Sequence, residues 1–516
     1  MVGWFELREV RDMNTSEACG AGHINPAELA SLAAMTRAGS TLIVIESHDE
    51  PQVMTLFGEL RRQLSQPLFK WTAARGLRWV ERDHDLADDF TDPANALEHI
   101  AQRPDRGIYL LLDFHPYLTD PVIVRRLREL VRPNDGGASR TVVLVSPELK
   151  LPPELDAMAR RFELAPPDRA ALEAMVRQEA ARWTQQRGSK VVLCERALEQ
   201  LLVNLEGLTM KDARRLARNA IFDDGALGES DLPEVMRAKF DLLNPGGVLG
   251  YEMETARFAQ IAGMPRLKRW LEVRSSVFGA AEPPAGLDMP RGMLLLGVQG
   301  CGKSLAARAA AGLFGVPLLH LDCGALYNRF HGESERNLRE SLEAAELMAP
   351  CVLWVDEIEK GLAVSDSDGG TSRRMLATLL TWMAEHRSRV FIAATANDIS
   401  ILPPELVRKG RFDEMFFVDL PDAQTRAEIL AIHLERRELK PQLYPLSEIA
   451  HATEGFSGAE LEHLVVAALY SAHADGEAMN TDHLMTEIGQ TRPLSVTMAE
   501  PIAELRQWAE SRAVAA

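Results

Sequence analysis

Short apolar runs, each closed by a turn and flanked by an apolar stripe at helical spacing, recur along this chain. In the second half they are MLLL at 293–296, CVLWV at 351–355 and VFIAA at 390–394; in the first they stand within TLIVIE, GIYLLLDFH and RTVVLVSPE. A continuous apolar run bounded by turn residues is the pattern of a strand buried on both faces. Strands that alternate with helical stretches predict α/β units around a parallel sheet. A phrase also repeats: LPPELDAMARRFEL at 151–164 has the register of LPPELVRKGRFDEM at 402–415, and an apolar strand precedes each copy.

Composition narrows the class. The 516 residues suffice for several packed units, and 46% hydrophobic content is that of a globular chain. The net charge of −18, from 57 basic and 75 acidic residues, argues against nucleic acid as a partner, because phosphate neutralisation needs a basic surface. Cys19, Cys194, Cys301, Cys323 and Cys351 show no C-x-x-C spacing, which fits a reducing compartment and argues against a disulfide framework or a zinc site. The opening MVGWFELREVRDMNTSEACG lacks the apolar core of a targeting segment, and no apolar run approaches the roughly 20 residues that span a bilayer. A soluble, cytoplasmic protein is expected.

The chemistry concentrates in the second half. The strand at 293–296 leads into GVQGCGKS, which matches G-x-x-x-x-G-K-[ST] at Gly297, Gly302, Lys303 and Ser304, and then into an Ala-rich helix. Glycines let successive backbone N–H groups face phosphates, the helix N-terminus adds partial positive charge, Lys303 meets the outer phosphates and Ser304 meets Mg²⁺. The strand at 351–355 ends in Asp356 and Glu357. A carboxylate at the carboxyl end of a parallel strand lands in the phosphate crevice, so Asp356 is placed to hold Mg²⁺ through water and Glu357 to polarise an attacking water. Asn397, just past the strand at 390–394, is placed to orient that water. Arg408 and Arg411, before Phe412 and Asp413, are placed to reach a neighbouring subunit's nucleotide.

In order, IAGM, PRGMLLLGVQGCGKS, FHGESERNLRESLEAAE, LWVDEIEKG, ELVRKGRFD and TEGFSGAELEHLV resemble an AAA+ ATPase of the core AAA clade, over residues 248–475. Membrane-anchored AAA proteases and proteasomal ATPases belong to that clade. The whole chain resembles the AAA proteins encoded as hypothetical reading frames in algal plastids and cyanobacteria. The resemblance implies ATP and Mg²⁺ as ligands, held by Gly297, Gln299, Gly300, Cys301, Gly302, Lys303, Ser304 and Leu305 of the loop and by Asp356. It implies Glu357 as catalytic base, Asn397 as γ-phosphate sensor, and Arg408 and Arg411 as fingers acting in trans within a ring, usually a hexamer. Ile261, Ala262 and Gly263, with Gly458 and Ala459 at the start of a lid helix, would flank the adenine. Phe330, His331 and Gly332 fall where the clade carries an aromatic-hydrophobic-glycine pore loop that grips polypeptide, and the histidine departs from that pattern.

The first half is expected to be a degenerate copy of this module, without a Walker lysine or a general base. GIYLLLDFH repeats the strand-then-Asp pattern, with Asp113 matched to Asp356 and Phe114 replacing the glutamate. Glu46, Asp49 and Glu50 stand where the phosphate loop would be and would repel a triphosphate. NLEGLTMKDARRLARNAIF parallels the later lid helix. The expected organisation is a leader at 1–40, the degenerate domain with its lid at 41–228, a linker and entry helix at 229–290, the large ATPase subdomain at 248–421, and the small lid with a C-terminal helix at 422–516. The expected function is a ring-forming ATPase that remodels a protein client. The alternative is an ATP-gated assembly or docking module that threads nothing.

Overall fold

The computed structural model describes residues 25–80, 90–103, 107–132, 140–147, 149–188, 191–222, 225–228, 230–244, 247–252, 261–280, 283–324, 326, 333–362, 370–408 and 410–516. The chain forms two units that divide between Leu232 and Pro233. In the first, strands β1 (Leu42–Glu46), β2 (Leu68–Thr72), β3 (Gly76–Trp79), β4 (Gly107–Leu112), β5 (Arg140–Ser146) and β6 (Ala159–Arg161) make one sheet; β7 (Val192–Leu193) and β8 (Ala226–Leu227) make a small pair. In the second, β9 (Leu249–Glu252), β10 (Gly292–Gly297), β11 (Leu318–Asp322), β12 (Cys351–Asp356), β13 (Val390–Ala396), β14 (Glu414–Val418) and β15 (Val514–Ala515) make another.

The apolar runs became the central strands of each sheet. Every residue of β10 and β13 is buried. Alternation sends Leu294, Leu296, Leu353 and Ile392 to one face, and Met293, Leu295, Val352 and Phe391 to the other. Burying each such side chain contributes roughly 1.5–3 kcal/mol, so the central strands are held from both sides and the chain ends emerging from them are fixed in place. Helices Ala423–Glu435, Leu446–Ala452, Gly458–Asp475 and Thr481–Gln490 form the lid around Leu430, Leu434, Ile449, Leu461 and Val465.

Two stretches carry more structure than their sequences suggested. Within the expected linker, helix Leu232–Leu243 buries Met236 and Phe240 in the core of the second unit, and β9 pairs antiparallel with β11. At the other end, the terminal helix Ala499–Ala509 is followed by β15, which pairs Val514 with Phe416 and so covers the open edge of β14. Arg506 fixes the approach by donating to both oxygens of Asp419, at 2.9 and 2.9 Å from Nε and Nη2.

The two sheets share a topology. The parallel strands run β2-β4-β5-β1-β6 in the first and β11-β12-β13-β10-β14 in the second. Their registers agree as well: Gly107 faces Arg140 where Cys351 faces Val390, and Leu68 faces Ile108 where Leu318 faces Val352. This register corrects one pairing made from sequence. Counting along β4 and β12, Leu112 takes the place of Asp356, and Asp113 takes the place of Glu357. Backbone geometry agrees, because Asp113 and Glu357 are both left-handed, with φ of 51° and 48°. Matching carboxylate to carboxylate slips the strand by one residue, whereas the ladder leaves no such freedom. The first unit therefore holds a buried leucine where the second has Asp356.

The loop after β1 is also replaced. Ser47, His48 and Asp49 alone connect β1 to helix Glu50–Leu64, where Val298, Gln299, Gly300, Cys301 and Gly302 connect β10 to helix Lys303–Phe314. Asp49 is 3% exposed and caps its helix: Oδ1 accepts the Gln52 N–H at 3.1 Å, and Oδ2 accepts the Lys211 N–H at 3.4 Å. Lys211 lies in the first turn of helix Met210–Phe222, matched in the second unit by helix Gly458–Asp475, whose Ala459 N–H donates to the Gly300 carbonyl at 3.0 Å. Two helix N-termini that would favour an anion receive the chain's own carboxylate. Losing a cap and orphaning a buried N–H costs about 1–2 kcal/mol. Asp49→Ala is thus expected to lower the melting temperature of the first unit in calorimetry of the full chain, and Asp49→Asn to restore most of it. An unchanged thermogram for Asp49→Ala would remove this role.

Candidate active site

The glycine-rich loop takes its shape from backbone that only glycine tolerates. Gly297 has φ 145°, and a Cβ there would sit 2.0 Å from the Val418 carbonyl oxygen on the neighbouring strand. Gly300, at φ 77°, passes so close to the lid that a Cβ would meet that of Ala459 at 3.0 Å. Helix Lys303–Phe314 then starts with its N–H groups aimed into the loop.

Lys303 is 6% exposed and its Nζ donates to the carbonyls of Gly297 and Val298 at 2.7 and 2.9 Å. Burial pushes its pKa down to about 8, although Cys301 and the nearby carboxylates Glu359, Asp356 and Glu357 oppose the shift. A buried ammonium resting on two carbonyls is a cation suited to an incoming anion. Burial likewise pushes the Cys301 thiol up to about 11, so beside the phosphate cradle it stays neutral.

On the opposite wall, the ends of β12 and β13 interlock. Thr395 Oγ1 donates to Asp356 Oδ1 at 2.6 Å and accepts the Glu357 N–H at 3.0 Å. Asn397 Nδ2 donates to Glu357 Oε1 at 2.9 Å, while Lys360 Nζ lies 2.5 Å from Glu357 Oε2. The left-handed backbone at Glu357 is unusual for a residue with a side chain, and such strain persists where surrounding bonds impose it. Here it turns Glu357 and Asp356 into the same cleft.

That cleft, of about 490 Å³, is lined by Ile261, Ala262, Gln299, Gly300, Cys301, Gly302, Lys303, Ser304, Leu305, Asp356, Glu357, Asn397, Gly458 and Ala459. Its size is within the range of small-molecule sites. Gly263 flanks it, and Gly297 underlies the lysine. Arg408 and Arg411 lie outside it: Arg408 is exposed, and Arg411 is half-buried with Nη1 donating to the Leu380 carbonyl at 2.7 Å. They stand in the turn between the repeated LPPEL phrase and β14, a turn that is shorter in the first unit. Phe330, His331 and Gly332 lie outside the described residues.

Several residues in the cleft wall or just behind it escaped the reading of the sequence. Thr395 is a spacer in the local pattern and acquires its role only from the pairing of β12 with β13. His433 lines the cleft from lid helix Ala423–Glu435, its pKa lowered by burial although Glu462 opposes this. Glu359, in DEIE, is 3% exposed and accepts the Asn397 N–H at 2.9 Å. Among the described residues there is no cluster of three or more His, Cys, Asp or Glu side chains that would hold a metal, and no helix is long and apolar enough to cross a membrane. A Mg²⁺ ion fits the donor set present, a serine hydroxyl and a single carboxylate, because Mg²⁺ keeps several waters and takes other oxygens from substrate phosphates.

Comparison with known proteins agrees with this geometry. Residues 293–420 match the ATPase family associated with various cellular activities (AAA), and 445–486 match the AAA+ lid domain. Residues 29–164 and 170–246 match the N-terminal and second domains of SpoVK-like AAA ATPases. The "Uncharacterized AAA domain-containing protein ycf46" of Trieres chinensis is 31% identical over 485 residues, covering 92% of this chain and 95% of that protein. The proteasome-activating nucleotidase of Aeropyrum pernix is 33% identical over 308 residues, 57% of this chain and 73% of its own. The ATP-dependent zinc metalloprotease FtsH of Acidothermus cellulolyticus is 34% identical over 258 residues, 48% and 37% respectively.

Proposed function

The chain belongs to the AAA ATPase family and is an ATP hydrolase, and from that premise we propose that it works as a homo-oligomeric ring, a hexamer, which spends ATP on remodelling a protein client. The observation that carries the ring is the position of Arg408. One subunit's cleft holds Lys303, Asp356, Glu357 and Asn397, with Arg308 and Arg436 also along its lining, but neither Arg408 nor Arg411. An exposed arginine outside its own pocket is suited to the next subunit's γ-phosphate. The remodelling half of the reading leans on relatives whose names describe a proteasome-activating nucleotidase and an ATP-dependent protease.

In this reading Gly300, Gly302 and the helix start cradle the phosphates, and Lys303 leaves its carbonyl contacts for the outer ones. Ile261, Ala262, Gly263, Gly458 and Ala459 enclose the adenine. Mg²⁺, held by the Ser304 hydroxyl and through water by Asp356, would neutralise charge on the β- and γ-phosphates. Glu357 polarises the attacking water, and Asn397 keeps that carboxylate and the water in line. The domain at 41–228 takes no part in hydrolysis: Leu112 stands at the metal-ligand position and Asp49 fills the anion site. We place the work in the cytoplasm, on the scattered cysteines, and assign Phe330 and its neighbours to the client.

The test is a nucleotide-locked trap. Full-length Glu357→Gln protein loaded with ATP is expected to retain a client, which elutes when ATP is removed, while Lys303→Ala protein captures none. Equal capture by both, or capture indifferent to ATP, would overturn this reading. A client that cycling wild-type protein binds and releases without any change in its fold or assembly would replace remodelling by ATP-gated docking.

A further inference from the structure

We propose that Glu359 is a positioning residue of the hydrolytic site: it anchors the backbone of Asn397, and through that residue sets the carboxylate of Glu357. The inference rests on the roles given above to Glu357 and Asn397 and adds a third member that never touches the nucleotide.

Glu359 sits in the short helix Ile358–Leu362 that follows β12, two residues beyond Glu357. Its neighbours in the pattern point elsewhere: Lys360 is exposed and pairs with Glu357 from the solvent side, whereas Glu359 turns inward and is 3% exposed. A carboxylate is buried at a cost that only hydrogen bonds or counter-charge offset. Burial does raise its pKa, and the amides of Asn397, Glu359 itself and Asp398 oppose that rise by facing the ionised form. Among them the Asn397 N–H donates to Oε1 at 2.9 Å.

That bond falls where the chain leaves the sheet. β13 ends at Ala396, so Asn397 is the first residue no longer held by the ladder. Without another tether its backbone would be free to pivot, and the side-chain amide at its tip would swing with it. Glu359 supplies the tether from β12's side, and Asn397 Nδ2 then reaches back 2.9 Å to Glu357 Oε1. The path runs from the turn after β12 to the end of β13 and back to the turn. It closes a loop in which each member fixes the next. Thr395, bonded to Asp356 Oδ1 and to the Glu357 N–H, closes a second loop at the adjoining position. The two loops share the Glu357 turn, so its left-handed backbone is determined from both sides.

Such a residue should act on turnover far more than on affinity, because its hydrogen bond goes to the Asn397 N–H, while its charge reaches the phosphate loop only through space, at Lys303. Misplacing a reacting group by about 1 Å costs on the order of 10²-fold in rate. In the full-length protein, Glu359→Ala is expected to lower kcat by about 10- to 100-fold with little change in KM or in fluorescent-nucleotide affinity. Glu359→Gln, which keeps the shape and one acceptor oxygen, should retain more activity than the alanine variant. The double variant Glu359→Ala/Asn397→Ala should be no slower than Asn397→Ala alone, since both act through one contact. Multiplied losses in the double variant, a loss confined to KM, or full activity in Glu359→Ala would each overturn the inference. A misfolded Glu359→Ala, seen as a collapsed melting temperature, leaves the glutamine variant to decide it: activity as low as that of Asn397→Ala, in folded protein, would also overturn it. The underlying site fails separately, if Asn397→Ala and Glu357→Gln themselves keep wild-type turnover.

Discussion

Glu357→Gln protein is expected to bind ATP about as tightly as wild type and to hydrolyse it about 10² to 10⁴ times more slowly. The substitution keeps the shape of the side chain and an oxygen able to accept from Asn397 Nδ2, so the cleft stays assembled. It removes the negative charge to which the proposed mechanism gives the polarising of water and the taking of its proton. Lys303→Ala should fail earlier. The ammonium lies 6% exposed on two loop carbonyls, and deleting it withdraws the charge that meets the outer phosphates before any chemistry begins. One variant should therefore lose turnover with binding intact, and the other should lose binding. Fluorescent-nucleotide titration beside a phosphate-release assay separates them. Turnover surviving in folded Glu357→Gln protein would mean that Glu357 is not the base, or that the first unit hydrolyses ATP after all. Leu112, a side chain without a donor atom in the register of Asp356, makes the second route chemically poor.

The parts of this site legible in the sequence are those whose roles depend on local order. A glycine loop between a strand and a helix, and an Asp-Glu pair at a strand end, announce themselves because spacing along the chain is spacing in the cleft. Residues whose roles come from pairing between strands stayed silent. Thr395 and Glu359 reach Glu357 and Asn397 only because β12 and β13 lie side by side in one register. His433 arrives from a lid helix that packs back over the loop. The first unit shows the same limit from the other side. Its strands and its repeated phrase were visible as a degenerate copy, yet Asp113 was set against Asp356 because a carboxylate invites a carboxylate as its match. Strand pairing moves it one place, to the position of Glu357. Glu46 at the end of β1, and Asp49 and Glu50 just beyond it, were read as repelling phosphate. What could not be read was that Asp49 closes on the Lys211 N–H far along the chain.

The largest effect is expected from Arg408. It is exposed and lies outside its own cleft, whereas Arg411 is half-buried and already gives Nη1 to the Leu380 carbonyl. The two should therefore separate on mutation. Arg408→Ala should leave the melting temperature near wild type, since an exposed side chain takes little packing with it, yet lower turnover by about 10³ to 10⁵, the worth of a finger that neutralises charge developing on the γ-phosphate. Arg411→Ala should cost activity and stability together, because it releases the turn from Leu380. If Arg408 acts on the neighbouring subunit, its loss is complemented in trans. Arg408→Ala and Lys303→Ala proteins, each inactive alone, are expected to recover part of the activity when mixed, because a mixed ring contains junctions where an intact pocket meets an intact finger. Wild-type specific activity should likewise rise with protein concentration as rings assemble. Mixed rings seen by mass but silent in the assay, with wild-type specific activity flat on dilution, would place the whole site within one chain. Each subunit would then hydrolyse ATP on its own within the assembly, and Arg411, tied down inside its own subunit, would have no neighbour to serve.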